Sequence, residues 1–554
     1  MVGLVSALRR LSAVAITAHA ARVEYNWSVS NINVKMDGVN NRLAVAVNGQ
    51  IPMPLAIASL GDTLVLNLRN ELNEPTGLHS HGILNNGTNY YDGAGMVTEC
   101  GIAPGSQMAY EIPLTQTGTY WIHGHHGGQY INGLRGPLII VDPNGEPYKY
   151  DEDIVLTFED WFPKASTMSM GHTTPETPNR NNLREAEPCV GCSADSGVNI
   201  VAAASPMHSS MDDKVASNTT DPTKKYPLAV INGISGNYAP DVSFVPGRTY
   251  RVRLLNIGSS TMFRFGVEGH DMYVIEADGI STKMKKVQSV TLGIAQRVSV
   301  LIKARPTVAQ NFRYHFELFS DIFPRLEGYN PRRHMGSIMY GEELEYGPVE
   351  QMFWDEFDDL SLVPLDNEPL LQPDVVHDII LSAQRTPTDL VRAYINGISF
   401  ALPTVPSLFT ALNHTANTRV SSTDFGRQCN AKILRHLDVV ELRLLNTDTV
   451  HHPMHLHGHF FQIVERGTIG DPVSARMSSN TPMRRDTILM APNTYAVLRF
   501  RADNPGVWMM HCHIERHMEL GLSMMFVTAP EVMRERIKVP EKMKEQCRLL
   551  GIRI

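Results

Sequence analysis

The stretch His511-Cys512-His513-Ile514-Glu515-Arg516-His517 sets a thiolate between two imidazoles and places a third imidazole five residues beyond the Cys. Soft and borderline donors of this kind suit copper far better than magnesium or calcium, and one Cys with two His is the ligand set of an electron-transfer copper site. In an extended chain neighbouring side chains point to opposite faces. His511 and His513 should therefore reach away from Cys512 toward a different metal.

Partners for each metal lie upstream. His452-Pro453-Met454-His455-Leu456-His457-Gly458-His459 is one such segment, and the pairs His79-Ser80-His81 and His123-Gly124-His125 lie near the start. One residue between two imidazoles puts both on the same face of a strand. A single pair of this kind is ordinary, but four segments, one containing a Cys, supply donors for several copper ions.

Three copies of one β unit position these donors. Val47-Asn48-Gly49-Gln50 precedes the alternating run Gly61 to Asn70. Ile231-Asn232-Gly233 precedes Arg251 to Asn256, and Ile395-Asn396-Gly397 precedes Glu441 to Asn446. Each copy reads as an Asn-Gly turn followed by a strand. The repeat predicts units near residues 22–147, 148–350 and 351–540, with an acidic joint at Asp355 to Asp359 and a C-terminal tail at 541–554.

Aligning the copies sets His79 against His455, His81 against His457, His123 against His511 and His125 against His513. The first copy has Gly124 where the third has Cys512, Thr76 for His452 and Gln129 for His517, so it keeps cluster donors and lacks the thiolate site. The middle copy offers Phe263, Gly266 and Glu268 and should bind no metal there. This implies one mononuclear site inside the third unit and one cluster shared between the first and third. Metal held across that interface would also cement it.

The chain has 554 residues, room for about three domains. A net charge of −8 gives no reason to expect nucleic acid or an anionic membrane surface as partner. Six Cys are too few for a disulfide scaffold, while 34 Pro and 41 Gly among short apolar runs indicate an all-β protein rich in turns. Arg9-Arg10, the apolar Leu11 to Thr17 and Ala18-His19-Ala20 read as a secretory signal within residues 1–21. Sequons at Asn26, Asn86, Asn218 and Asn413 agree with a secreted or cell-wall glycoprotein. No segment offers 18 uncharged apolar residues, so no transmembrane anchor is expected. The insertion 165–226 carries Met168, Met170, His172, Met207, His208 and Met211 but is dominated by small polar residues and reads as flexible. Its Cys189 and Cys192 suit a local disulfide better than a metal clasp. Charged Pro530 to Ile554 reads as a short surface helix.

His-Pro-x-His-Leu-His-Gly-His and His-Cys-His-Ile-Glu-x-His closely resemble the two signatures of the three-domain multicopper oxidases, and the likeness spans nearly the whole mature chain. Asn86-Gly-Thr, Gly128-Gln129-Tyr130 and Met483-Arg484-Arg485-Asp486-Thr487 look most like the fungal ferroxidase and ascomycete pigment-laccase branch. The resemblance implies three cupredoxin-like Greek-key β-barrel domains in a monomer with four copper ions. It implies that His452, Cys512 and His517 hold the type 1 copper and that His79 and His455 hold the type 2 copper. His81, His123, His125, His457, His511 and His513 would then hold the type 3 pair. Dioxygen would be reduced to water by single electrons from a small aromatic donor or Fe(II).

By the same resemblance Asp92 and Glu515 supply protons at the cluster, Cys100 pairs with Cys547, and Leu522 occupies the axial position beside the type 1 copper. An aliphatic side chain there donates nothing, which favours a high potential. Asp160, in Phe158-Glu159-Asp160-Trp161-Phe162, matches the position of an iron-binding Glu in ferroxidases, but it is shorter and shared with laccases. With no anchor expected, the sequence favours phenolic or polyketide pigment oxidation over iron.

Overall fold

The computed structural model describes the chain except residues 1–9, 12–19, 37, 39–40, 163–226, 236–238, 322–332, 353, 355–356, 387–390 and 415–417. The insertion at 165–226 lies outside the described residues, as do most of the expected signal peptide and part of the acidic joint.

The strands assemble into three pairs of sheets. In the first pair, Arg42–Val47, Arg22–Val34, Thr63–Asn70 and Gln107–Pro113 lie side by side and face Ala56–Ser59, Arg135–Val141, Gly118–Gly124 and Leu78–His81. The third pair repeats the plan, with Ala431–Leu434, Ser523–Thr528, Gly506–Cys512, His452–Leu456 and Thr487–Met490 in its inner sheet. The middle pair is built around Glu152–Trp161 and Thr249–Asn256. In every copy the first long strand runs parallel to the strand that ends in the repeated Asn: Arg22–Val34 with Thr63–Asn70, Glu152–Trp161 with Thr249–Asn256, and Val375–Arg385 with Val439–Asn446. Apolar clusters fill the first and middle sandwiches, that of the third runs on into both neighbours, and the chain is an all-β protein of three cupredoxin-like domains.

The repeated residues do the same work three times. Asn48-Gly49, Asn232-Gly233 and Asn396-Gly397 all adopt positive φ at both positions, as a two-residue type I′ hairpin turn requires. Each turn Asn then ties itself to the parallel strand. Asn48 Nδ2 donates to Asn26 O, Asn232 Nδ2 to Val155 O and Asn396 Nδ2 to Asp378 O, at 2.8–3.0 Å.

The second repeated Asn shapes the loop ahead of the inner strands. Asn70, Asn256 and Asn446 are fully buried. Their Oδ1 atoms accept from the backbone N–H two residues on, of Leu72, Gly258 and Asp448 respectively. Their Nδ2 atoms donate to carbonyls further along, Val450 O and Ala491 O in the case of Asn446. Losing one such side chain would leave several buried backbone groups unpaired, each costing about 1–3 kcal/mol. The fold thus fixes the path of the loop that delivers His452.

The C-terminal segment departs from expectation. It forms two helices, Pro530–Arg536 and Glu541–Leu549, rather than one short surface helix. Met543 is buried in the core of the first domain, Gln546 Oε1 accepts from Ala103 N, and Cys547 is disulfide-bonded to Cys100. Only the charged face of this segment was evident from composition.

Candidate metal centre

Four buried strand ends bring the donors together. In the first domain His79 stands opposite His123 in the ladder between Leu78–His81 and Gly118–Gly124. In the third, His455 stands opposite His511, and Met454 opposite Cys512. The repeat had aligned His79 with His455 and His123 with His511, and the two cross-strand pairs correspond accordingly, so the two domains present the same constellation to one another. All eight cluster histidines, together with His452, Cys512 and His517, are buried.

The donors sort into groups whose atoms lie within 4.8 Å of one another. One is His452, Cys512 and His517, with Cys512 Sγ at 3.6 Å from His452 Nδ1 and 3.7 Å from His517 Nδ1. Another is His79, His81 and His455. The five remaining cluster histidines fall into two groups, His123 and His513 with His81, which is shared, and His125, His457 and His511. Resemblance had given six histidines for a metal pair without dividing them. Strand alternation explains why Cys512 joins one group while His511 and His513 join two others.

Proton placement tests whether these groups suit a cation. His457 Nδ1 donates to Asp92 Oδ2 at 2.8 Å, and His511 Nδ1 donates to Cys512 O at 3.0 Å. Their Nε2 atoms are then both lone-pair donors, yet they stand 3.0 Å apart. Two lone pairs so close repel unless a cation lies between them. At the thiolate site His452 Nε2 donates to Asp448 Oδ2 and so leaves its Nδ1 lone pair facing Cys512 Sγ and His517 Nδ1, at 3.6 and 3.1 Å. His79, His123 and His455 each donate from Nδ1 to a backbone carbonyl, and each keeps a buried Nε2 without a partner. Outer hydrogen bonds of this kind orient metal-binding imidazoles.

Burial also keeps the rings neutral. It drives His511 down to about 3, and it drives His81, His123, His125, His457 and His513 well below the ordinary imidazole value, aided by repulsion among neighbouring rings. Neutral imidazoles and a buried thiol that must shed its proton to bind form a donor set that fits copper.

The first domain preserves the outline of the thiolate site without its donors. Gly124 N donates to Leu134 O as Cys512 N donates to Leu522 O, and Leu134 N donates to Gln129 O as Leu522 N donates to His517 O. Thr76 Oγ1 donates to Gln129 Oε1 at 2.7 Å, where the third domain has His452 beside His517. In the middle domain a Cβ on Gly266 would meet Met352 Cε at 2.3 Å, and Glu268 is engaged by His315 Nε2 at 2.7 Å. Among the described residues no group of metal donors forms there.

Comparison with known proteins agrees with this geometry. Three family models described as multicopper oxidase match residues 28–145, 152–330 and 400–532. The chain belongs to the multicopper oxidases. It is 36% identical to "Iron multicopper oxidase fer1" of Mycosarcoma maydis over 98% of this chain and 86% of that protein. Its fold is similar to the crystal structure of "Fet3p, a Multicopper Oxidase that Functions in Iron Import", with a TM-score of 0.80, 28% identity and 96% of each chain covered. It is also similar to the laccase from Botrytis aclada, with a TM-score of 0.73, 28% identity and coverage of 97% of this chain and 93% of that one. Copper is the cofactor of this multicopper oxidase, four ions in the complete chain.

Three carboxylates marked from the sequence of this multicopper oxidase occupy different settings. Asp92 is wholly buried beside the cluster, its backbone oxygen accepting from His79 and its carboxylate from His457. Glu515 opens the helix Glu515–Glu519, its backbone N–H bonded to Ser259 O and its Oε1 buried without a partner. Burial, reinforced by Glu519, lifts its carboxyl well above the usual range. Asp160 exposes no surface. Its Oδ1 accepts from Ser259 N and Oγ, and its Oδ2 from Ser260 N, Thr261 N and Thr261 Oγ1. With both oxygens spent on the 259–261 loop, Asp160 holds backbone in place rather than offering a carboxylate to a substrate.

Two acids that the sequence did not single out flank the thiolate site. Asp448, four residues before His452, accepts from His452 Nε2 at 3.2 Å and is 13% exposed. Asp321 comes from the middle domain, is 35% exposed and pairs with the ring and backbone N–H of His451. Burial would raise both carboxyls, but the histidine contacts outweigh it and lower them, so both are anionic at neutral pH. The repeat held a signal for Asp448, because its Asx-turn partner in the first domain is the apolar Leu72. Asp321 had none, since its position depends on packing between domains.

Proposed function

We propose that the chain is a ferroxidase, in which His452, Cys512 and His517 hold the electron-accepting copper and the eight remaining histidines hold the cluster. The carrying observation is Asp448, an anionic and partly exposed carboxylate hydrogen-bonded directly to a ring that would bind that copper. Ferrous iron takes oxygen and imidazole donors. A carboxylate also attracts the ferric product more strongly than the ferrous ion, since the charge on the metal has risen. Asp321 and His451 line a small hollow with Ser260 and Ser320, which adds a second anionic group at the same rim.

Bound copper supplies one-electron redox chemistry, so that four ferrous ions, one dioxygen and four protons give four ferric ions and two waters. The chain's own residues do the rest. Asp448 holds iron at the outer edge of His452, and Asn446 fixes Asp448 through its N–H. Cys512 is joined through the backbone to His511 and His513, a covalent path from the substrate side to the cluster. Asp92, hydrogen-bonded to His457, and Glu515, two residues beyond His513, would deliver protons there.

The sequence-based preference for a phenol rested on Asp160, on the high potential expected from Leu522 and on the lack of an anchor. Asp160 is occupied inside the protein, and its length says nothing about iron. Among the described residues no helix is long and apolar enough to cross a membrane, but the iron-named relative is longer than this chain, so that observation carries no weight. The names of the relatives support iron. The test compares kcat/KM for Fe(II) and for a diphenol in the parent and in Asp448→Ala. A loss of tenfold or more for iron, equivalent to about 1.4 kcal/mol, with diphenol oxidation unchanged is the expected result. A parent that oxidises diphenol efficiently and iron poorly, or a variant in which both fall together, would overturn the reading.

A further inference from the structure

The middle domain gives no donor to the metal groups among the described residues, yet it sends a buried guanidinium to their edge. Arg297 begins the strand Arg297–Lys303 and touches all three domains. Its Nε donates to Thr119 O of the first domain at 3.0 Å. Its Nη1 and Nη2 donate to Asp486 Oδ1 and Oδ2 of the third at 2.9 and 2.6 Å. Asp278, which accepts from Arg297 N and from Arg485 Nε, braces the pair from behind.

Asp486 passes this constraint on to the cluster. Its Oδ1 accepts from His81 Nε2 at 3.0 Å, and its backbone oxygen accepts from His455 Nδ1 at 2.9 Å. His81 is therefore held with Nδ1 inward, 3.2 Å from His513 Nε2, whereas His79, His123 and His455 turn Nε2 inward. A ring that belongs to two donor groups thus has its orientation set from outside. The fit is close, because a Cβ on Gly82, next to His81, would come within 2.7 Å of Arg297 Nη2 and 2.8 Å of Asp486 Oδ2.

We propose that Arg297 is a positioning residue for the copper cluster, acting through Asp486 on His81 and His455, and that this is what the copper-free middle domain contributes to the site. The inference rests on the copper-ligand reading and is independent of whether iron is the substrate. Arg253 provides the contrast. It is equally buried at the same junction and pairs with Asp153 and Thr119, but it touches no metal donor.

Copper retention is measured by chelator titration in the parent, Arg297→Met, Arg253→Met and the double variant Arg297→Met/Asp486→Asn, with the electron paramagnetic resonance of the type 2 copper as a second readout. Arg297→Met leaves a buried carboxylate without its countercharge. Cluster copper should bind about 10–100-fold more weakly, with a changed type 2 signal and an unchanged blue absorption from the Cys512 site. The double variant removes the stranded charge while Asn still accepts from His81 Nε2, and it should recover most of the loss. Arg253→Met should keep its copper. Should Arg297→Met not fold, Arg297→Lys, which keeps the charge but not the planar fork, is read in its place. Parent-like copper binding in the Arg297 variant, equal loss in Arg253→Met, or no recovery in the double variant would each overturn the proposal. A parent that fails to take up four ions would count against the ligand assignment itself.

Discussion

Substituting Glu276 by Gln removes one charge from the junction of the first and middle domains while keeping the side chain's shape. Glu276 is 1% exposed. Its Oε2 accepts from Arg251 Nη2 at 2.6 Å, Thr119 Oγ1 at 2.8 Å and Ser299 Oγ, and its Oε1 accepts from Thr119 N at 2.6 Å. Burial alone would raise its carboxyl, but Arg251 and Arg253, with the hydroxyls of Ser299 and Thr119, bring it down to about 2 from an ordinary 4.5. At 1.36 kcal/mol per pH unit that gap is worth about 3 kcal/mol. Because the folded value is depressed, this stability is complete above pH 4.5 and is lost as pH falls through about 2. Urea unfolding followed by tryptophan fluorescence should show Glu276→Gln less stable than the parent by about 3 kcal/mol at pH 7, with the difference closing below pH 4.5. Acid loss of copper is common to both proteins and cancels in the comparison. A difference below about 1 kcal/mol at pH 7, or one that does not change with pH, would refute the reasoning.

Cys512→Ser should abolish the blue thiolate absorption and oxidase turnover while metal analysis still finds the cluster copper, three of the four ions. Parent-like turnover in that variant would remove Cys512 from the electron path. Asp92→Asn and Glu515→Gln each keep shape and remove an ionisable group, so dioxygen reduction should slow by about 10²-fold, most visibly at higher pH, while anaerobic reduction of the thiolate site is unchanged. A large loss in the anaerobic step would instead put these residues on the substrate side. Cys547→Ser opens the bridge to Cys100 and should lower unfolding stability by about 2–5 kcal/mol, with earlier proteolysis in Glu541–Leu549. Unchanged proteolysis would mean that Met543 and Gln546 hold the helix unaided.

How much was legible follows from whether a feature is local. Donor spacing within strands and the Asn-Gly repeat are local, and the structure carries them through as paired histidines and three matching turns. The disulfide, and with it the tie of the tail to the first domain, was available only through resemblance, and the packing of Met543 and Gln546 was not foreseen, because both gain their partners from the first domain. The setting of Asp160 was hidden for a similar reason. Its five close donors come from residues 259–261, about a hundred positions away, and nothing beside it announces them. Asp321, Arg297 and Asp486 likewise take their meaning from contacts between domains. The third of these stood in a recognised motif without an assigned role.

The strand Gly506–Cys512 shows why such contacts matter to the chemistry. Adjacent residues at its end serve different metal groups, so a slip of one residue would turn Cys512 toward the cluster and His511 toward the thiolate site. The ladder alone does not forbid that, since backbone hydrogen bonds are much alike in either register. Its buried side chains do, and so does a clamp from outside the domain. Asn89 of the first domain accepts from Val507 N at 3.0 Å and donates to Val507 O at 2.9 Å, reading the strand as a neighbouring strand would. Trp508 Nε1 donates to Asn504 O, and Asn504 Nδ2 donates to Leu84 O of the first domain and Gly458 O of the third. The domain that supplies half of the cluster histidines therefore also holds the register of the strand that carries Cys512. The separation of one thiolate site from one shared cluster depends on the docking of the two domains as much as on the residues within either.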